Sequence, residues 1–95
     1  MSVPKRQAQK IHALHRVQER YGVTLTRRAL REIAAAIRAG NSRFVSRASN
    51  RITKHMVQHE GRDYLVVYDT TRHTVCSFLP REMGEEQSND LAQLL

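Results

Sequence analysis

Apolar residues in the first forty positions recur with the period of an α-helix. From Lys5 to Tyr21 they fall every three or four positions, which predicts one amphipathic helix. The apolar positions are Ile11, Leu14, Val17 and Tyr21. Pro4 suits the first turn of this helix, and Gly22 suits the residue just past its end.

A second helix is predicted after the short link at residues 23–26. Thr24 or Thr26 would cap it, and it would run to about Ala39, where Gly40 and Asn41 end it. Its apolar face consists of Leu30, Ile33, Ala34 and Ile37.

Beyond Asn41 the period changes to two, and β-branched and aromatic residues dominate. The runs 43–48, 51–59, 62–69 and 74–80 are separated by turn residues. This pattern predicts four antiparallel strands in a meander. Pro80 would end the last strand.

The register of the central hairpin follows from a two-residue turn at Glu60 and Gly61. Opposed residues share a face, so one face would hold Thr53, His55, Val57, His59, Arg62, Tyr64, Val66 and Tyr68. The other face has the larger aliphatic centre, and we expect the helices to pack there. Its apolar members are Ile52, Met56, Leu65 and Val67, joined by Val75 and Leu79 if the turn "TTRH" pairs Tyr68 with Thr74. The first face would then stay partly open.

The expected fold class is α+β, with two N-terminal helices packed on a four-stranded antiparallel β-meander. Residues 1–81 would form a single basic domain, and residues 82–95 an acidic tail or short helix. The tail could fold back over the basic face or cap the core through its leucines.

The distribution of charge along the chain indicates the kind of partner. The net charge is +7, but residues 1–81 carry +11 and residues 82–95 carry −4. Arginine outnumbers lysine 13 to 3, and its planar guanidinium suits phosphate. A basic body of this kind favours a polyanionic partner, RNA above all. GC-rich coding bias is the alternative explanation for the arginines.

The sequence gives little support to a disulfide-bonded, metal-binding, cofactor-dependent or membrane-spanning protein. The single cysteine, Cys76, fits a reducing cytoplasm and is expected to be packed. The histidine pairs His12/His15 and His55/His59 are accompanied by a single cysteine, so we expect no metal site, and no motif indicates a cofactor. No apolar run is long enough to span a membrane.

A candidate working surface lies along the first helix. His12, Arg16 and Arg20 recur every fourth residue and would form one ridge, called the ridge below. It is either a cationic border of the open sheet face or an ordinary solvated helix face.

The spaced pattern H-A-x-x-R-x-x-x-R-x-G in the first helix, the ending "AIRAG" and the segment "YLVVYDTTRHTVCSFLP" resemble a known group. They are similar to small bacterial and phage domains of the barnase–EndoU–colicin–RelE type of ribonuclease fold. The resemblance covers about residues 10–80. It implies metal-independent RNA cleavage, with His12 and Arg16 matching the helix motif.

The hairpin register supplies the remaining candidates. His55 would act as base or acid, with Tyr64 and Tyr68 as proton donors or stacking platforms. Arg62 and Arg72 would bind phosphate beside Arg16 and Arg20. The sequence thus predicts a ribonuclease-like toxin, for which an acidic antitoxin or a host protein is a candidate partner. The alternative is a non-catalytic, basic inhibitor, of phage origin for example, that binds a host nucleic-acid-processing machine.

Overall fold

The computed structural model describes residues 4–83. Two helices precede one sheet: α1 (Lys5–Tyr21), α2 (Arg27–Arg38), β1 (Arg43–Arg47), β2 (Ile52–His59), β3 (Arg62–Asp69) and β4 (Thr74–Leu79). The strands are antiparallel and lie in chain order, which confirms the predicted α+β class. The hypotheses on the acidic tail concern mainly residues 84–95, which lie outside the described part.

Local signals set the helix ends. Gly22 follows α1 with φ of 66°, and its N–H donates to the carbonyl of Gln18, a geometry that glycine adopts without steric cost. Thr26 caps α2, because its Oγ1 accepts a hydrogen bond from the N–H of Ala29 at 3.1 Å. No helix within residues 4–83 is long and apolar enough to cross a membrane.

The central hairpin has the predicted register. Glu60 and Gly61 have φ of 49° and 77°, and two positive values in a two-residue loop characterise a type I′ turn. All four predicted pairs are present: His59 with Arg62, Val57 with Tyr64, His55 with Val66, and Thr53 with Tyr68.

The prediction of which sheet face the helices cover is wrong. The core unites the inner sides of both helices with the face that carries Thr53 and Tyr68. Its members are Ala13, Val17, Leu30, Ile33, Ile37, Val57, Tyr64, Val66, Tyr68, Val75 and Phe78. Ile11, expected on the apolar stripe of α1, is 48% exposed.

The register of the β3–β4 turn, in which Thr74 pairs with Asp69 and not with Tyr68, and a bulge in β4 together explain the error. Asp69 pairs with Thr74 and Tyr68 with Val75, but Val67 pairs with Ser77, so Cys76 is the extra residue. The turn places Val75 opposite Tyr68, and the bulge that follows brings Phe78 opposite Val66, so both lie on the face of Tyr64 and Tyr68. Aromatic side chains bury more apolar surface than aliphatic ones, so this face outweighs the opposite one once β4 joins it. Leu79, by contrast, pairs with Leu65 on the opposite face as expected.

Candidate functional site

A cleft of about 380 Å³ lies between the C-terminal end of α2 and the adjoining part of the sheet. We call it the cleft. It brings together two imidazoles, one phenol and two guanidinium groups, with no carboxylate among its lining residues. These are Ile37, Arg38, Phe44, Arg47, Thr53, His55, Tyr68, Thr70 and His73.

His55 is held on β2 by two hydroxyl groups. Ser42 Oγ lies 3.1 Å from its Nδ1, and Thr53 Oγ1 lies 2.8 Å from its Nε2. Burial lowers the pKa of His55 below the ordinary value for histidine. The ring is therefore mainly neutral near pH 7, which is the form that accepts a proton.

Tyr68 and His73 form a second polar pair in the cleft. The hydroxyl of Tyr68 lies 3.3 Å from His73 Nδ1, so the contact to Tyr68 occupies one ring nitrogen. Burial raises the pKa of Tyr68, an effect that the nearby Arg38 opposes. The phenol thus keeps its proton near neutral pH. His73 itself is exposed and can meet a ligand at the mouth of the cleft.

The turn that carries His73 is fixed by Asp69, which is fully buried. Asp69 Oδ1 accepts hydrogen bonds from the N–H groups of Thr71 and Arg72 at 2.9 and 3.0 Å. Its Oδ2 lies 2.9 Å from the guanidinium of Arg72 and accepts a hydrogen bond from Gln9 of α1. This network anchors the turn to the helix layer, so the position of His73 does not depend on the loop alone.

Phe44 and the arginines complete the cleft. Phe44 is 55% exposed, and its ring meets that of His55 edge to face with centroids 5.6 Å apart. Such an exposed ring can stack on a base. Arg47 is tied to the β1–β2 loop by a hydrogen bond of 2.9 Å to the carbonyl of Asn50, which fixes its position at the rim.

Of the predicted site residues, only His55 and Tyr68 line the cleft. The three members of the ridge lie on α1 and do not line the cleft. Arg16 is engaged locally, with Glu19 at 3.2 Å and with His12 Nε2 at 3.3 Å. Arg20 is exposed in the last turn of the helix.

Tyr64 is a correction to the predicted catalytic set. It is 3% exposed and packs between Tyr21 and Phe78, with ring centroids at 4.9 and 5.6 Å. Tyr64 is therefore a core residue. The helices cover the sheet face that carries it, whereas the sequence predicted that this face would stay partly open.

The guanidinium of Arg62 lies at the hairpin, 3.5 Å from the carbonyl of Tyr21. Arg72 lies beside Asp69 and lines a neighbouring groove.

Sequence reasoning missed Arg38, Phe44, Arg47 and His73 as members of a site. His73 follows Arg72 in the turn segment "TTRH", and Arg38 stands in "AIRAG". Both segments belong to the pattern that carries the family resemblance. Their convergence depends on the path of α2 across the sheet, which the local pattern does not specify.

Comparison of the chain with protein-family models, with curated proteins and with solved structures gave no match. Within residues 4–83, no three His, Cys, Asp or Glu side chains are grouped so that they could hold a metal ion.

Proposed function

We propose that the protein is directed at nucleic acid and cleaves RNA at the cleft without a metal ion. The observation that carries this proposal is the meeting of two histidines and a tyrosine with Arg38 and Arg47 in one cleft. The strongly basic body supports it, because an excess of positive charge attracts polyanions.

The chemistry requires two proton transfers and charge stabilisation. A base removes the proton from a ribose 2′-hydroxyl, and the oxygen attacks the adjacent phosphorus. The bond to the 5′-oxygen breaks, a 2′,3′-cyclic phosphate remains, and an acid protonates the leaving oxygen. We assign the base to His55 and the acid to His73. Arg38 and Arg47 would stabilise the additional negative charge on the phosphate.

One observation favours a second candidate, binding without cleavage. Both ring nitrogens of His55 already contact hydroxyl groups, so the ring can act as a base only if Thr53 or Ser42 moves away. If these contacts persist, the cleft would bind RNA without cleaving it, or would bind a site on a host nucleic-acid-processing machine.

Under the first candidate, a protein that cleaves RNA would be toxic to the cell that makes it. An acidic antitoxin would then be its natural partner.

The test is cleavage of total RNA in the presence of a chelator. The expected result is RNA fragments with 2′,3′-cyclic phosphate ends, lost in the variants His55→Gln and His73→Gln. His12→Gln is the matched control, since His12 is an exposed histidine outside the cleft. Retention of RNA without such ends would favour the binding function, and absence of both would reject the proposal.

A further inference from the structure

A second basic surface adjoins the cleft. A groove of about 270 Å³ lies between α1, α2 and the β3–β4 turn, and a wider depression of about 550 Å³ continues it towards the start of both helices. We call the two together the basic groove. Its cations are Lys5, Arg6, Lys10, Arg27, Arg31, Arg38 and Arg72.

These cations face no compensating charge in the groove. None of its lining residues is Asp or Glu. Among residues 4–83, Arg72 alone of the seven cations forms an ion pair, and its partner is Asp69. The ridge differs, because Arg16 there is paired with Glu19. A concave surface of one sign concentrates counter-charged ligands.

The spacing of the arginines on α2 indicates an extended ligand. Arg27, Arg31 and Arg38 lie within about 40° of one another around the helix axis, at 3.6 residues per turn. The rise per residue places the first and last of them about 16 Å apart. Phosphates follow one another along a nucleic-acid strand, so a row of this length can contact more than one of them.

The basic groove is continuous with the cleft, because Arg38 and His73 line both. The groove has no Phe, Tyr or Trp along it, whereas the cleft has the exposed ring of Phe44. Stacking of a base is therefore available in the cleft and not in the groove. The groove offers contacts that suit a sugar-phosphate backbone of any sequence.

We propose that the basic groove binds the backbone of a single-stranded RNA whose neighbouring nucleotide occupies the cleft. This rests on the proposed function. The exposed ring of Phe44 in the cleft can stack on a base that is unpaired, which favours a single strand over a duplex. The substrate would then be an unpaired segment several nucleotides long, bound with little sequence preference beyond the cleft.

The test measures how RNA affinity depends on the length and pairing of the RNA and on which positive charges are removed from the protein. The probes are a fluorescent single-stranded 12-mer, the same 12-mer paired with its complement, and a dinucleotide. The groove variant is Arg6→Gln/Arg31→Gln, which changes one exposed arginine on each helix. The matched control is Arg28→Gln/Arg43→Gln, which removes the same charge from exposed positions outside the groove and the cleft. Thermal melting of each variant verifies that it is folded.

We expect the groove variant to bind the single-stranded 12-mer at least about fivefold more weakly at low salt. Its plot of log affinity against log salt should be shallower by roughly 1.4 units, since each of the two lost phosphate contacts on a single strand contributes about 0.7. The control should change affinity by less than about twofold, and turnover or binding of the dinucleotide should be the same in both variants.

Equal loss in the two variants, or tighter binding of the duplex than of the single strand, would overturn the proposal. Cleavage by the parent protein with no difference between the variants would reject the groove and leave the proposed function intact. Length-dependent binding that the groove variant loses, without cleavage, would support the groove and reject the assigned chemistry. No binding of any RNA would reject both.

Discussion

The two ends of β3 place a tyrosine on the same sheet face but in different surroundings. Tyr64 and Tyr68 are both 3% exposed, and each belongs to the core cluster. Around Tyr64 the neighbours are aromatic, with Tyr21 from α1 and Phe78 from β4. Around Tyr68 they are polar, with the hydroxyl contacting His73 and the ring meeting His55 edge to face at 6.1 Å.

The difference arises from where α1 ends, and residue type alone does not reveal it. Tyr21, the last residue of α1, covers one end of β3, and its hydroxyl also accepts a hydrogen bond from the N–H of Leu65 at 2.9 Å. The other end adjoins the last turn of α2 and the cleft. The same residue type is therefore a packing element at one end and the wall of a candidate site at the other.

The largest expected effect is at the packed end. Tyr64→Ala should lower the free energy of unfolding by about 3–5 kcal/mol, because it leaves a cavity among the aromatic rings. Urea unfolding measures the loss. A fall below about 1 kcal/mol would show that Tyr64 does not support the core and would remove the contrast with Tyr68.

The polar end should depend on charge. Asp69→Ala should cost about 3 kcal/mol or more, because it leaves Arg72 and the turn amides without their partner. Asp69→Asn should cost less, since an amide oxygen can still accept hydrogen bonds from the N–H groups of Thr71 and Arg72. Urea unfolding of both variants tests the order. Equal losses would assign the whole effect to charge.

The acid dependence of the same carboxylate follows from its pKa. Burial alone would raise the pKa of Asp69, but hydrogen bonds from the Arg72 N–H, from Gln9, from the Arg72 guanidinium and from the Thr71 N–H hold it well below its usual range. A lowered pKa in the fold stabilises the protein above the ordinary value of ~3.9. That stabilisation is lost as the pH falls from there towards the lowered value.

A smaller pH effect is expected from His55 in the cleft. Its pKa is lowered by burial, so the unfolded chain takes up a proton more readily than the fold does. Stability should therefore decline as the pH falls through ~6.5. His55→Gln should flatten that slope. Unfolding experiments between about pH 5 and 8, the range in which histidine titrates, measure the change.

The control for this measurement is His15→Gln, since the side chain of His15 is 80% exposed. An unchanged slope in His55→Gln would mean that the cleft does not shield the imidazole. The polar end of β3 would then be more hydrated than its contacts indicate.

The smallest effect is expected at the ridge on α1. Replacing His12, Arg16 and Arg20 together by Gln should change the free energy of unfolding by less than about 1 kcal/mol, because exposed ion pairs contribute little. RNA cleavage by the cleft should persist. Abolition of RNA cleavage or binding at full thermal stability would instead place the working surface on α1, as the sequence resemblance implies.

The elements themselves could be predicted because their signals are local. The caps at Thr26 and Gly22, the turn at Glu60 and Gly61, and the change of period after Asn41 each involve residues a few positions apart. The hairpin register followed from the turn type for the same reason. These features account for the confirmed fold class and for the shared position of His55 and Tyr68 on one face.

The candidate site could be predicted only in part because its residues come from distant elements. His55 and Tyr68 were found through the hairpin, which is a local structure. Arg38 and His73 reach the cleft from the end of α2 and from the β3–β4 turn, and no short-range pattern links them. Tyr64 was misplaced because the choice of face depends on how β4 pairs with β3, where the turn register places Val75 and one extra residue places Phe78.

The sequence by itself determined the order of the helices and strands, their bounds to within about two residues, the central register and the basic character of residues 1–81. Caps, turns and periodicity act over a few residues, and charge is a sum over composition. The tertiary structure alone decided which sheet face is buried, because the turn register places Val75, and the bulge at Cys76 places Phe78, on the side of Tyr64 and Tyr68. It also decided which cations face one another, since the basic groove exists only where α1, α2 and the β3–β4 turn meet.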